Sequence, residues 1–156
     1  MKFATNNKKI NEIKTDCLMV SVFDDGKLRG AAKLVNTSNG KMIEDFIKNK
    51  DIQGKIGQTR IIPVTGKSYK RIVLVGCGSF ENFSQKNYRK AVISALKKIS
   101  LSNHKKVVSL IHDGVEKIDS PKKAYRVARV LAESWHEISY QYTTTKESNH
   151  KKLNLR

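Results

Sequence analysis

Three short constellations in this chain combine residue types that do chemistry elsewhere. Glu133, His136 and Glu137 fall within one helical turn, and the Glu-x-x-His spacing is one that carboxylate-bridged metal sites use. Such sites take a second motif of the same kind from another helix. The sequence holds none, so a solvated helix face is the better reading. His112 and Asp113 stand at a strand end, where a carboxylate could orient an imidazole as a general base. Adjacent strand residues point to opposite faces, and no Ser or Cys nucleophile is identifiably placed beside them. Gly76-Cys77-Gly78 follows a strand and precedes a helix, the position where glycines let a backbone approach a phosphate. Glu81 stands where a dinucleotide fingerprint has its third glycine and would repel an anion, so a tight turn is expected. Cys17 and Cys77 lack the spacing of a disulfide scaffold or a zinc site and are expected reduced and semi-buried. His104 and His150 sit in Lys-rich stretches and are expected at the surface. No catalytic, cofactor-binding or metal-ligating residue is assigned.

The elements that would position these residues alternate between strand and helix. Cys17–Phe23 reads as a strand ending at the turn Asp24-Asp25-Gly26-Lys27, and Arg29–Val35 and then Met42–Ile47 carry helical spacing. Thr59–Pro63 and Arg71–Val75 are β-rich runs joined by Thr65-Gly66-Lys67-Ser68 and are expected to be neighbouring strands. Ser84 can cap a helix whose buried face is Tyr88, Val92, Ala95, Leu96 and Ile99, and Lys106–Ile111 is a further strand. A last helix is expected from Ser120-Pro121, with an apolar stripe of Ala124, Val127, Ala128, Leu131, Trp135 and Ile138. This order predicts an α/β fold, a mixed, mostly parallel sheet covered on both faces in three α/β/α layers.

A chain of 156 residues suits one domain with a real core. No stretch approaches the ~20 apolar residues of a membrane span, so no membrane partner is expected and the protein is read as cytoplasmic. The formal net charge is +17, but Lys outnumbers Arg by 24 to 7 and the cations are scattered in ones and twos. That pattern suits a Lys- and Asn-biased composition better than a surface built for bidentate phosphate contacts. The residues most able to form a weak nucleic-acid patch are Lys97, Lys98, Lys105 and Lys106, around His104, with Lys122 and Lys123 a second cluster. Non-specific DNA is the expected ligand there. Residues 147–156 read as a polar linker followed by the start of an alternating pattern, Leu153-Asn154-Leu155, that stops at once; a cut near an interdomain boundary is expected, with the domain itself spanning residues 1–146.

Taken in order, Asp24-Asp25-Gly26-Lys27-Leu28, Gly54-Lys55-Ile56-Gly57-Gln58-Thr59 and Lys70–Gly78 resemble the N-terminal domain of the leucyl aminopeptidase family. Tyr88-Arg89-Lys90-Ala91, Leu131-Ala132-Glu133, Tyr140-Gln141-Tyr142 and Lys146 continue the resemblance over nearly the whole chain. It implies a macro-domain-like fold and an accessory, assembly role without catalysis in a cytosolic metalloaminopeptidase. The implied partners are the protein's own C-terminal catalytic domain and the sister subunits of a homo-hexamer. Zinc or manganese would belong to that other domain, whose Asn-Thr-Asp-Ala-Glu-Gly-Arg and Asp-Ser-Gly-Gly segments have no counterpart here. The alternatives are a macro-like module binding ADP-ribose and a DNA-binding regulatory domain. Trp135-His136 and Thr145 depart from the family's pattern.

Overall fold

The computed structural model describes residues 9–101, 104–113 and 123–144. Its centre is β1 (Thr15–Val22), flanked in parallel by β3 (Tyr69–Gly76) and β4 (Val107–Ser109), with β2 (Thr59–Pro63) antiparallel on the far side of β3. Cys17 stands opposite both Arg71 and Val107. The near-continuous apolar run of β1 follows from this position, because a central parallel strand is covered on both faces. Successive side chains alternate between faces. Cys17 and Met19 join Val73 and Val75 in one core, while Leu18, Val20 and Val22 join Ile72 and Leu74 in the other.

Helices α1 (Gly30–Ser38) and α2 (Met42–Lys48) supply Ala32, Val35 and Ile43 to the second core. Helices α3 (Gln85–Ser100) and α4 (Lys123–Thr144) cover the first. The handedness of crossovers requires this division. From β1 the chain moves one way to β3, from β3 it moves back past β1 to β4, and right-handed connections in opposite directions must use opposite faces. The expected three-layer α/β/α architecture with a mixed, mostly parallel sheet is what the chain forms.

Ser84 caps α3 as expected, its hydroxyl accepting the Asn87 N–H at 3.3 Å, and all five residues of the expected buried face are buried. The strand expected over Lys106–Ile111 is shorter. Its ladder ends after Leu110 N–H donates to Met19 C=O at 2.9 Å, and Asp113 N–H closes a turn onto Leu110 C=O. On α4, Val127, Trp135 and Ile138 are buried, Ala128 and Leu131 only half-buried, and Val130 and Ser134 also face inward. Ser134 escapes any hydropathy count because its side chain is polar. The start expected at Ser120-Pro121, the cluster at Lys122 and the pattern at Leu153–Leu155 lie outside the described residues, as does His150.

Candidate functional site

In an open α/β sheet ligands bind beyond the carboxyl ends of the strands, at the point where neighbouring connections leave toward opposite faces. Here that point lies between β1, whose exit loop runs to α1, and β3, whose exit loop runs to α3. The chain's own segment 54–58 fills it. Gly76 N–H donates to Gln58 C=O at 2.7 Å, Cys77 N–H to Val22 C=O at 2.9 Å and Gly78 N–H to Gly54 C=O at 2.7 Å. Every amide of the Gly76-Cys77-Gly78 turn is thereby committed to protein, and none is left to cradle a phosphate. The glycines serve the crossing. A Cβ on Gly76 would lie 2.0 Å from the Lys55 carbonyl oxygen, and one on Gly54 would lie 2.3 Å from the Phe23 carbonyl.

Beside this crossing stands a cluster that sequence reading missed. Arg29 binds Asp25 with two parallel hydrogen bonds, at 3.0 and 2.5 Å, and lays its guanidinium 3.8 Å from the centroid of Phe80. Phe23 meets Phe80 and Phe83 edge-on at 5.1 and 5.3 Å. The bond from Arg29 holds the Asp25 carboxyl below the usual carboxylate range. The only sequence trace of this clamp was the i, i+4 spacing of Asp25 and Arg29. It fixes the loop leaving β1 and engages the Asp25 carboxylate and the Arg29 guanidinium with each other.

The other singled-out residues separate. Arg89 on α3 reaches Glu133 at 3.4 Å and Glu137 at 2.7 Å on α4, and Arg129 holds Glu133 at 2.6 Å. The carboxylates expected on a solvated face thus tie two helices together, while His136 is exposed. His112 and Asp113 lie in the turn after β4, half-buried and exposed respectively. Cys17 and Cys77, expected semi-buried, are fully buried and free, and burial pushes their thiols up to about 11 and about 12. Neither is a thiolate near neutral pH, and both are enclosed in the core, so neither is poised as a nucleophile.

His104 corrects the sequence reading. It is 3% exposed, and its Nδ1 lies 3.3 Å from Nη1 of Arg71. Burial first, then Arg71, hold its pKa below the ordinary histidine value. The neutral ring can accept the arginine's hydrogen. Lys97, Lys98, Lys105 and Lys106 are all exposed. Asp16 sits among the last two, with Oδ2 accepting the Lys105 and Lys106 amides at 2.9 and 3.1 Å and Oδ1 bound to Lys70 Nζ at 2.9 Å.

A cavity of about 370 Å³ between α3 and α4 is lined by Arg126, Arg129 and Glu133, and another of about 560 Å³ beside α1 is lined by Ile10, Ile13, Leu34 and Leu110. The second is also lined by Lys9, Thr37, Ser38 and Asp113, and there the Thr37 and Ser38 hydroxyls donate to Lys33 C=O at 3.1 Å and Val35 C=O at 3.0 Å. Among the described residues no group of three or more His, Cys, Asp or Glu side chains could hold a metal ion. The described residues therefore do not fit a divalent metal centre, and no described helix is long and apolar enough to cross a membrane.

A mixed, mostly parallel sheet between two helical layers, with its ligand crevice closed by its own loop, defines a macro-domain-like fold. The macrodomain of Mycobacterium tuberculosis DarG superposes with a TM-score of 0.68 at 15% identity, covering 85% of this chain and 89% of that one. A mutant of tomato leucine aminopeptidase superposes with a TM-score of 0.70 at 18% identity, over 97% of this chain and 30% of that one. Residues 19–149 match the sequence profile of the cytosol aminopeptidase family, N-terminal domain, and the chain belongs to that family. The probable cytosol aminopeptidase of Buchnera aphidicola subsp. Schizaphis graminum is 31% identical over 143 residues, covering 90% of this chain and 28% of the relative. That of Methylobacillus flagellatus is 30% identical over 156 residues, covering 97% and 31%. The chain spans about 30% of the length of these curated relatives.

Proposed function

We propose that residues 1–146 are a non-catalytic accessory domain of a cytoplasmic, metal-dependent aminopeptidase, joined through residues 147–156 to a catalytic domain that removes N-terminal amino acids from peptides. The observation that carries this reading is the match of residues 19–149 to an N-terminal domain profile in a chain that spans about 30% of the length of its curated relatives. Zinc or manganese would be held by the catalytic domain. Assembly with sister subunits into a homo-hexamer would use outer helical surfaces, because the crevice at the strand ends is closed. The chain assayed with leucine p-nitroanilide and added manganese or zinc should give no turnover. Metal-dependent release of nitroaniline would overturn the reading. Fused to a catalytic domain of a family relative, the chain should instead support activity and a sixfold assembly by light scattering.

A further inference from the structure

The larger cavity runs beside α1, and its lining selects a ligand. Helix α1 leaves the exit of β1 and returns to the entry end of the sheet, where Ser38 and Asn39 approach the Tyr69 hydroxyl of β3 at 3.5 and 2.7 Å. Lys9 and Asn11 precede β1 and line the cavity from that entry end. Asp113 lines it from the turn after β4, at the exit end. Between the two ends Ile10, Leu34 and Leu110 form an apolar wall. Leu34 is 60% exposed, although Ala31 and Val35 of the same helix are buried. A large apolar side chain left open within a concavity is surface that a ligand can cover.

The two ends of the cavity carry opposite charge. The Lys9 ammonium and the Asp113 carboxylate are exposed, and neither joins an ion pair with another described residue. From Ala31 to Ser38 the helix rises about 10 Å, and three extended residues of a peptide span about the same length. A free amino acid carries both its charges on one carbon and reaches only one end. A fatty acid has no cation for Asp113. A short peptide with free termini meets both ends, its ammonium at Asp113 and its carboxylate at Lys9, and lays its side chains on the wall. The Thr37 and Ser38 hydroxyls give their hydrogens to helix carbonyls and keep lone pairs that can accept a peptide N–H. The volume of about 560 Å³ is that of a small-ligand site. We infer that this groove binds apolar peptides of about three or four residues by their two free ends. The inference does not depend on the accessory role proposed above, because binding is measured on this chain alone.

The test titrates the full chain with trileucine, its N-acetylated and C-amidated forms and free leucine, followed by calorimetry and amide NMR. Each capped peptide should bind about 2- to 5-fold more weakly than the free-ended one, the size of an exposed ion pair, and free leucine should bind more weakly still. Lys9→Ala should abolish the difference between free and amidated peptide, and Asp113→Asn that between free and acetylated peptide. Leu34→Asp should weaken trileucine by at least about tenfold, because it sets a charge on the apolar wall. Lys48→Ala, at an exposed site on α2 outside the groove, should leave binding unchanged. Far-UV circular dichroism verifies that the variants fold, and if Leu34→Asp does not, the two charge variants decide. Amide shifts should gather on α1 and the turn at Asp113. The inference is overturned by no binding up to about 10 mM trileucine, by capped peptides that bind as well as the free one, by cap differences that survive in both charge variants, or by shifts that gather away from α1.

Discussion

Replacing Gly76 by Ala isolates the crossing that closes the strand-end crevice. The new Cβ would stand 2.0 Å from the Lys55 carbonyl oxygen and 2.9 Å from its carbonyl carbon. Both are backbone atoms, so no side-chain rotation relieves the clash. Segment 54–58 must lift away, breaking the bonds from Gly76 N–H to Gln58 C=O at 2.7 Å and from Gly57 N–H to Gly76 C=O at 3.0 Å. Each such bond contributes about 1 kcal/mol net, and a buried amide left unmet costs about 1–3 kcal/mol. The expected loss is about 3–5 kcal/mol, a large part of the roughly 5–15 kcal/mol that a domain has. At roughly 2–4 °C per kcal/mol for a chain of this size, the thermal midpoint should fall by about 6–20 °C. Gly66 is the control, since its φ is +70° but nothing lies within 4 Å of its missing Cβ. Gly66→Ala should therefore cost only the left-handed backbone term, about 1–2 kcal/mol. Thermal and urea unfolding followed by circular dichroism measure both. A Gly76→Ala protein within about 1 kcal/mol of the parent would refute the close approach as the reason for glycine, as would Gly66→Ala costing more.

His104 should make stability pH-dependent in one direction. Its pKa is lowered in the folded chain, so below about pH 6.5 the unfolded state binds the proton first and stability falls as pH drops toward the folded pKa. Urea midpoints at about pH 7.5 and about pH 5.5 should differ more in the parent than in His104→Asn, which can still accept from Arg71; an unchanged difference would count against it. Arg29→Ala should lose about 1–2 kcal/mol through the ring stack and the Asp25 pair, and Arg29→Lys should recover only part of this because an ammonium lacks the planar fork. Full recovery by Lys in thermal melts would show that charge alone matters. Arg89→Ala should weaken the α3–α4 tie slightly, with the difference from parent vanishing in high salt; a salt-independent loss would point to packing instead.

The sheet and its helices were legible because their signals are local. Cys17–Phe23 and Ile72–Val75 are apolar runs long enough for buried strands, and Ser84 opens a helix with a regular buried face. What escaped depends on residues far apart in sequence. Gly54 and Gly76 both read as turn residues, but nothing within either motif says that the two backbones cross in contact. The resemblance to aminopeptidases rested on these same segments, so part of what it carried is the geometry of a crossing, which needs no catalytic residue to explain it. His104 lies between polar and basic neighbours and reads as surface. It is buried against residues that include Arg71, thirty-three positions away.

The lysines make the sharper case. Scattered in ones and twos, they read as compositional bias. In a parallel sheet, however, the chain returns to the same end once per strand–helix unit, so a surface cluster at that end must be written as short, widely separated groups. Lys14, Lys67 with Lys70, and Lys105 with Lys106 have that spacing, each just ahead of a parallel strand or within its first residues. A continuous basic run would instead lie along one loop or one helix face. Dispersion along an α/β chain is therefore no argument against a localised charge. The question is whether the cations precede the parallel strands or follow them, and in this chain these five lysines precede while Lys27 and Arg29 follow β1.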